Sequence, residues 1–338
     1  MEEHVIIEAL TDEDSEPNRE PSRDPSRDVT SDYEPSELES KFGSLTSSVN
    51  DHVWEYGRRY HAFRYGRYPI PNDEEEYKRE SLRHLMLKDL LNGKLYLAPI
   101  GDNPQKIIDL GTGFGDWAIE VGEAFPSATI TGVDLSPIQP HWVPPNVEFI
   151  VDDIEDEWVH DKDYDFVHLR FVNTVIKNNA ALFDKILQNL KPGGWVEIQD
   201  IYPKASSDDG TVPPDYPLNK FYSTLGGILQ ERYGFDFWVV HQLPELLQRL
   251  GYVNVQKKVF HMPVGAWARD KHLRLLGGYF REILRDFIGA MAARPFVEAG
   301  FEKDEIAEQV SNTMSTISNR RFHAYVPIHF VWAQKPPE

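Results

Sequence analysis

Ile107-Ile108-Asp109-Leu110-Gly111-Thr112-Gly113-Phe114-Gly115 decides the fold of this 338-residue chain. The β-branched apolar run ending at Asp109 predicts a buried strand. The glycines that follow let the backbone turn tightly and approach a ligand where a Cβ would clash. A second apolar run, Thr129-Ile130-Thr131-Gly132-Val133, leads into Asp134-Leu135, nineteen residues past Gly115. A carboxylate at that point suits the diol of a ribose. The two runs together predict neighbouring parallel strands with a nucleoside lying across their carboxyl ends.

The glycine pattern discriminates among nucleosides. A dinucleotide site reads G-x-G-x-x-G and aims a helix N-terminus at a pyrophosphate. Here the pattern is D-x-G-x-G-x-G, and Asp116 stands where the third dinucleotide glycine would be. An acidic residue there opposes a diphosphate and tolerates a cationic, phosphate-free ligand. S-adenosylmethionine, with its sulfonium, ammonium and ribose, has that chemistry. Downstream, Asn146–Val151 predicts a third strand running into Asp152-Asp153-Ile154, where Asp153 can reach the exocyclic amine of adenine and Ile154 can pack on its face. Tyr164–Arg170 predicts a fourth strand, which brings His168 and Arg170 towards the site. Helical spacing over Ala181–Leu190 closes at Lys191-Pro192-Gly193-Gly194, and Trp195–Asp200 is the fifth strand. Leu218–Arg232, Leu243–Gly251, Trp267–Ala293 and Glu302–Arg320 read as helical, Val253–Met262 as a sixth strand and Ile328–Ala333 as the last. The alternation predicts an α/β, Rossmann-like, doubly wound and mostly parallel seven-stranded sheet, with insertions after strand 5 and the ligand at the switch point.

From the glycine motif through the Lys-Pro-Gly-Gly turn, roughly residues 105–200, the chain resembles the class I, Rossmann-like S-adenosylmethionine-dependent methyltransferases. A narrower resemblance rests on Tyr56–Arg64, on Tyr68-Pro69-Ile70-Pro71-Asn72-Asp73-Glu74-Glu75-Glu76, and on Asp134–Asn146 with its Ser-Pro-Ile-Gln-Pro-His-Trp-Val-Pro-Pro core. These segments resemble the fungal LaeA-like methyltransferase family, which includes a nuclear regulator of secondary metabolism and many enzymes encoded with natural-product pathways. The Tyr-Pro-Ile-Pro-Asn-Asp-Glu segment is more similar to the pathway enzymes. The resemblance implies a methyltransferase that modifies a secondary metabolite on oxygen, nitrogen or sulfur, with a LaeA-like regulator acting in a nuclear protein complex as the alternative. It also implies a cofactor set of Asp109, Gly111, Thr112, Gly113, Gly115, Asp134, Leu135, Asp152, Asp153, Ile154 and Arg170, with Asp109 ordering the loop and meeting the ammonium directly or through water.

Composition bounds the rest. There is no cysteine, so neither a disulfide scaffold nor a Cys-ligated zinc site is possible. No run of about 18 apolar residues suggests a membrane span, and the N-terminus lacks a signal-peptide core, so a cytoplasmic location is expected, or a nuclear one under the regulator reading. The net charge is −20, and residues 1–50 hold 14 acidic and four basic side chains. That stretch, with its duplicated Pro21-Ser22-Arg23-Asp24 and Pro25-Ser26-Arg27-Asp28, predicts a disordered acidic tail or partner-binding arm. An acidic chain with no basic cluster argues against direct nucleic-acid binding.

The domain reading is thus a tail over 1–50, an N-terminal helical cap over 51–104, and a methyltransferase domain over 105–338 with acceptor-pocket insertions at about 201–250 and 265–325. Tyr56, Tyr60 and Phe63 fall at i, i+4, i+7 and predict a helix within Trp54–Tyr68, either docking the N-terminus or forming a lid. Acidic residues 72–76 start a second helix running to Leu91, on which Arg83 and His84 read as surface residues. Tyr222, Tyr233, Phe235, Phe237, Trp238, Trp267 and Tyr279 are candidates for the acceptor pocket. Methyl transfer is an in-line displacement that gains mostly from orientation, up to about 7–11 kcal/mol. A hydroxyl acceptor would add a general base, for which His168, His241 and His261 are candidates. Alternation along the fourth strand, however, puts His168 opposite Val167 and Leu169 and so towards a helix layer. No His/Asp/Glu spacing indicates a metal. A small-molecule methyl acceptor is the expected partner.

Overall fold

The computed structural model describes residues 6–10, 52–158 and 162–337. Its centre is a seven-stranded sheet in the order β5-β4-β3-β6-β7-β9-β8. The strands are β3 (Lys106–Leu110), β4 (Thr129–Asp134), β5 (Val147–Val151), β6 (Tyr164–Arg170), β7 (Leu190–Ile201), β8 (Val253–Pro263) and β9 (Tyr325–Gln334). All neighbours from β5 to β7 run parallel, and β9 is antiparallel to both β7 and β8. Parallel strands are buried on both faces, which explains why they read as continuous apolar runs. Ile107, Ile108, Phe166, Val167, Leu169, Val196 and Ile198 have no exposed surface. Strand order reverses between β3 and β6, and the crevice outside their carboxyl ends is the switch point for ligands in such sheets.

Two helices flank the first half of the sheet: α2 (Asp116–Ala124) leaves the glycine loop, and α3 (Asn179–Asn189) precedes β7. The Lys-Pro-Gly-Gly turn is drawn into the start of β7 itself. There is no room beside Gly194, where a Cβ would lie 2.8 Å from the Tyr164 carbonyl oxygen. After β7 the chain builds a second apolar mass from α4 (Pro217–Tyr233), α6 (Lys271–Met291) and α7 (Lys303–Ile317), while α5 (Leu243–Arg249) leads into β8. The faces of α4 and α6 bury Phe221, Leu225, Leu276, Phe280, Ile283 and Leu284 in one core cluster with α1 (Glu74–Leu90) through Met86 and Leu87.

The N-terminal region departs from the reading of its sequence. Trp54–Tyr68 is not a helix. It contains an antiparallel hairpin of β1 (His52–Glu55) and β2 (Arg58–His61), with His52 opposite His61. The connection is Tyr56-Gly57, both at positive φ (52° and 76°), the geometry of a tight two-residue hairpin turn. Of the three aromatics only Tyr60 lies in a strand; Tyr56 is in the turn and Phe63 follows β2, so their helical spacing is overridden by the turn dipeptide. The helix expected to begin at 72–76 does form. Its N-cap is Asp73, whose side chain accepts from Glu76 N at 3.1 Å and from Arg58 Nη2 at 2.8 Å, so the cap also ties hairpin to helix.

The expectation of a disordered tail over 1–50 is corrected at residues 6–10. Leu10 N donates to the Trp267 carbonyl at 2.9 Å and Arg269 N donates to the Glu8 carbonyl at 2.7 Å, with Ala9 bridging Ala268 in antiparallel fashion. Residues 6–10 read Ile-Ile-Glu-Ala-Leu, an apolar stretch within the acidic tail, and its backbone groups find partners beside Trp267–Arg269. The duplicated Pro-Ser-Arg-Asp segment and the rest of the tail lie outside the described residues. Among the described residues, no helix is long and apolar enough to cross a membrane.

Candidate cofactor and acceptor site

The loop between β3 and α2 is shaped from behind. Gly111 N and Thr112 N donate to the Val133 carbonyl at 2.8 and 2.9 Å, which folds the loop over the end of β4. Gly111 has φ +74°, and a Cβ there would come within 2.8 Å of Val172 Cγ2, so only glycine fits. Gly113 has φ +58° and nothing within 4 Å of the position a Cβ would take. The loop therefore presents bare backbone to an open cavity with about 810 Å³ of protein-free space.

Asp134 sits at the rim of that cavity. Its Oδ2 accepts from Gly113 N at 2.8 Å and its Oδ1 from Ser136 N at 2.9 Å, so the carboxylate holds loop and strand end together. Desolvation pushes its pKa up to about 6, against the two amides that favour the charged form. Leu135, Asp152, Asp153, Ile154 and Arg170 also line the cavity, as do Gly111 and Gly113. Asp153 is already engaged, accepting from Arg67 Nε at 3.2 Å and from Glu155 N at 3.0 Å. Asp152 Oδ1 accepts from Asp153 N at 2.8 Å.

Asp109, Thr112 and Gly115, all expected in the cofactor set, do not line the cavity. Asp109 is buried, its Oδ1 paired with His168 Nδ1 at 2.7 Å and its Oδ2 accepting from Thr112 Oγ1 at 2.7 Å. With both oxygens engaged, it acts on the glycine loop through Thr112. Gly115 forms the turn into α2, where its φ of +86° and the Phe149 ring exclude a side chain.

None of the three histidines named as general-base candidates lines the cavity. His168 has no exposed surface and stacks on Trp117, ring centroids 3.7 Å apart and planes 4° from parallel. It faces α2, as alternation along β6 requires, and burial lowers its pKa. His241 is exposed on the short turn before α5, with Nδ1 2.6 Å from the Trp238 carbonyl oxygen. His261 stacks on Tyr325 between β8 and β9, with centroids 4.3 Å apart.

The near wall comes from the segment that carries the family resemblance and from α1 residues that read as surface in the sequence. The segment 67–72 crosses the cavity, supplying Arg67, Tyr68, Ile70 and Asn72. It is held by Arg59 Nε donating to Asn72 Oδ1 at 3.1 Å and by Asn72 Nδ2 donating to Ser136 Oγ at 3.3 Å. Arg83 lines the cavity too, with its guanidinium 4.0 Å above the Phe171 ring. It belongs to a buried ladder on α1 in which Arg79 Nε donates to Glu76 Oε2 at 2.9 Å and Glu80 pairs with both arginines. His84 is buried as well, its Nδ1 3.0 Å from Arg170 Nη1 and its Nε2 3.2 Å from Glu120 Oε1. The departure has a simple cause: charges on an acidic-basic helix read as solvated, but here two rows face inward and neutralise each other.

Beyond Ile70, Arg83 and Phe171 opens a second cavity of about 610 Å³, walled by α1, α4, α6 and the ends of β6 and β7. Of the aromatic candidates, Tyr222 and Phe237 line it. Tyr233 stacks on Phe235, Trp238 packs above Gly226, Trp267 donates its indole N–H to the Ala324 carbonyl at 2.8 Å, and Tyr279 joins the core beside α6.

The donor set fits S-adenosylmethionine. Bare backbone at Gly113 admits close approach, Asp134 and Asp152 stand on the cavity wall where ribose and adenine would lie, and Asp116 occupies the first turn of α2 where a pyrophosphate would need positive potential. Fold and site together define an S-adenosylmethionine-dependent methyltransferase of the Rossmann-like class. A methyltransferase-domain family model matches residues 82–257. The chain is similar to methyltransferase pytC of Aspergillus terreus, 36% identical over 89% of this chain and 93% of that one. It is also similar to the secondary metabolism regulator LAE1 of Cochliobolus heterostrophus (33% identity, 88% of this chain and 98% of that one) and to the protein-methionine methyltransferase laeA of Emericella nidulans (30% identity, 87% and 79%). The chain belongs to the LaeA-like family of fungal methyltransferases.

Proposed function

We propose that this methyltransferase modifies a small secondary metabolite, and that Asp134, Asp152, Asp153, Ile154 and the backbone of Gly111 and Gly113 hold its cofactor. When bound, S-adenosylmethionine supplies an electrophilic methyl carbon activated by the sulfonium. Asp134 takes the ribose hydroxyls, which compete for the same oxygens that now tie Gly113 and Ser136. Asp152 and Asp153 meet the adenine edge and Ile154 its face. The segment 67–72 excludes water and holds the two reactants in line. Asp109, Thr112 and Gly115 keep the loop in shape without touching the ligand.

The observation that carries the small-molecule reading is the second cavity. It is concave, largely apolar, and adjacent to the cofactor cavity, with Ile70, Arg83 and Phe171 lining both, as a metabolite pocket beside the cofactor would be. The family resemblance to LAE1 and laeA favours a second reading, in which the acceptor is a protein and the chain works in a nuclear complex. Incubating the protein with methyl-tritiated S-adenosylmethionine and fungal extract separates the two. Label in the solvent-extractable metabolites supports the first reading; label confined to acid-precipitable protein supports the second.

A further inference from the structure

Asp200 plays no part in holding the cofactor, yet it is the carboxylate that lines the second cavity. It stands at the end of β7 with no exposed surface. Its Oδ1 accepts from Ile201 N at 2.8 Å and its Oδ2 from Asn173 N at 3.0 Å, both backbone amides. Around it the walls are Met86, Phe237, Phe280, Ile283, Leu284 and Phe287. The remaining polar groups of the cavity are Arg79 and Arg83 on α1, Thr174, and Tyr222 on α4, and the buried hydroxyl of Tyr222 has no hydrogen-bond partner in the structure. A buried tyrosine hydroxyl left unmatched in a cavity wall calls for a polar ligand atom. Capping the turn at 173–175 accounts for the Asn173 amide, and the Ile201 amide is its own neighbour's, but neither accounts for a carboxyl at the edge of an apolar pocket.

We propose that Asp200 is the general base of the methyl transfer and that the acceptor is a small lipophilic compound methylated on an acidic hydroxyl, a phenol or enol. This rests on the methyltransferase reading and names the acceptor class within it. With Arg79 and Arg83 already paired to Glu76 and Glu80, the apolar walls decide: they disfavour a permanently charged amine and favour a neutral hydroxyl whose oxygen turns negative only as its proton leaves. Burial pushes the Asp200 carboxyl up to about 7, against the amides and the nearby Arg83, so near neutral pH it is partly ionised and able to keep a proton it receives. The hydroxyl proton passes to an Asp200 oxygen while the acceptor oxygen forms the new bond to the methyl carbon. The carbon–sulfur bond breaks with its electron pair remaining on sulfur, and Asp200 returns the proton to solvent.

The test uses the full chain and 4-nitrophenol, whose phenolate absorbs in the visible and reports its own ionisation. The probe is titrated against pH in protein with and without S-adenosylhomocysteine, whose binding is followed separately by calorimetry. In the wild type the bound phenol faces a carboxylate. Asp200→Asn and Asp200→Ser, the latter keeping an oxygen to cap the turn, are therefore expected to lower the apparent pKa of the bound probe by about one to three units. Ile283→Trp, which puts bulk into the cavity from α6, is expected to weaken probe binding at least tenfold while leaving S-adenosylhomocysteine binding unchanged. A wild type that does not bind the probe, an Ile283→Trp protein that binds it as the wild type does, or Asp200 variants with the bound pKa unmoved would each overturn the proposal. Failure of S-adenosylhomocysteine to bind would instead overturn the assigned cofactor site, and the probe titration in its absence would still decide the pocket.

Discussion

Asp134 is both part of the fold and part of the site, and substitution should report both roles. Asp134→Ala removes acceptors for two amides and for the ribose. It is expected to cost about 1–2 kcal/mol of stability and to weaken S-adenosylhomocysteine binding at least tenfold by calorimetry. Because its pKa is pushed up to about 6, the carboxylate becomes protonated as pH falls through that value, and a protonated group is a poorer acceptor for the ribose. Cofactor affinity should therefore be flat above about pH 7 and fall between pH 6 and 5 in the wild type; the same fall in Asp134→Ala would assign it to another group. Gly113→Val tests the bare backbone opposite. A β-branched residue at φ +58° is strained by about 1–2 kcal/mol, and its side chain projects into the ligand's space, so cofactor binding should be lost in a protein that still folds. Gly111, Gly113 and Asp134 are readable from sequence because glycine spacing and strand ends are local signals. The loop-ordering role expected of Asp109 is met through Thr112, but its second partner, His168, is not readable, because only pairing of β3 with β6 brings the histidine across. Asp200 carries no local signal at all: one more acid at a strand end, distinguished only by the cavity that four distant segments build around it.

Individual elements are legible wherever one period dominates. The parallel strands, α1 with its acidic first turn, and the order of the later helices all follow from apolar runs and caps. The hairpin does not, because Tyr56, Tyr60 and Phe63 fall at helical spacing, and the turn at Tyr56-Gly57 outweighs it. The hairpin's link to α1 passes through Asp73, so Asp73→Ala should remove a helix cap and an Arg58 ion pair together. A loss of about 1–3 kcal/mol in denaturant unfolding is expected, accompanied by weaker cofactor binding, since the crossing segment 67–72 hangs between these elements. A loss of stability with cofactor affinity intact would show that the segment is held by its other contacts alone. The back of the sheet has its own fastening. Glu197 on β7 accepts from Leu97 N at 2.7 Å and Ala98 N at 2.6 Å, and Gln199 Nε2 and Trp117 Nε1 both donate to the Leu95 carbonyl. This pins the connection between α1 and β3 under the sheet, where no sequence pattern announces it.

At the scale of the whole molecule, Glu197 contributes to how stability varies with pH. Its side chain has no exposed surface, and desolvation pushes it up to about 7. A carboxyl raised on folding adds stability that is fully present below its unfolded pKa and lost as pH rises through its folded one. Glu197→Gln stays neutral throughout, so its melting temperature relative to the wild type should climb between pH 5 and pH 8. A constant offset over that range would mean that Glu197 titrates normally in the folded protein. Asp200 is raised in the same direction and should leave a similar slope in the variant, so the comparison concerns the difference between the two proteins and not the wild-type curve alone.

The position of β9 between β7 and β8 bears on how the protein is made. Synthesis delivers β8 about sixty residues before β9, the strand it pairs with in the sheet. Until then a growing chain carries two open ladders, one on β7 and one on β8, each a template for the wrong neighbour. The helices α6 and α7 emerge in that interval. A nascent chain paused between residues 263 and 325 is thus the form most in need of a chaperone, and a slow stretch of translation there would raise aggregation without changing a single contact of the finished protein.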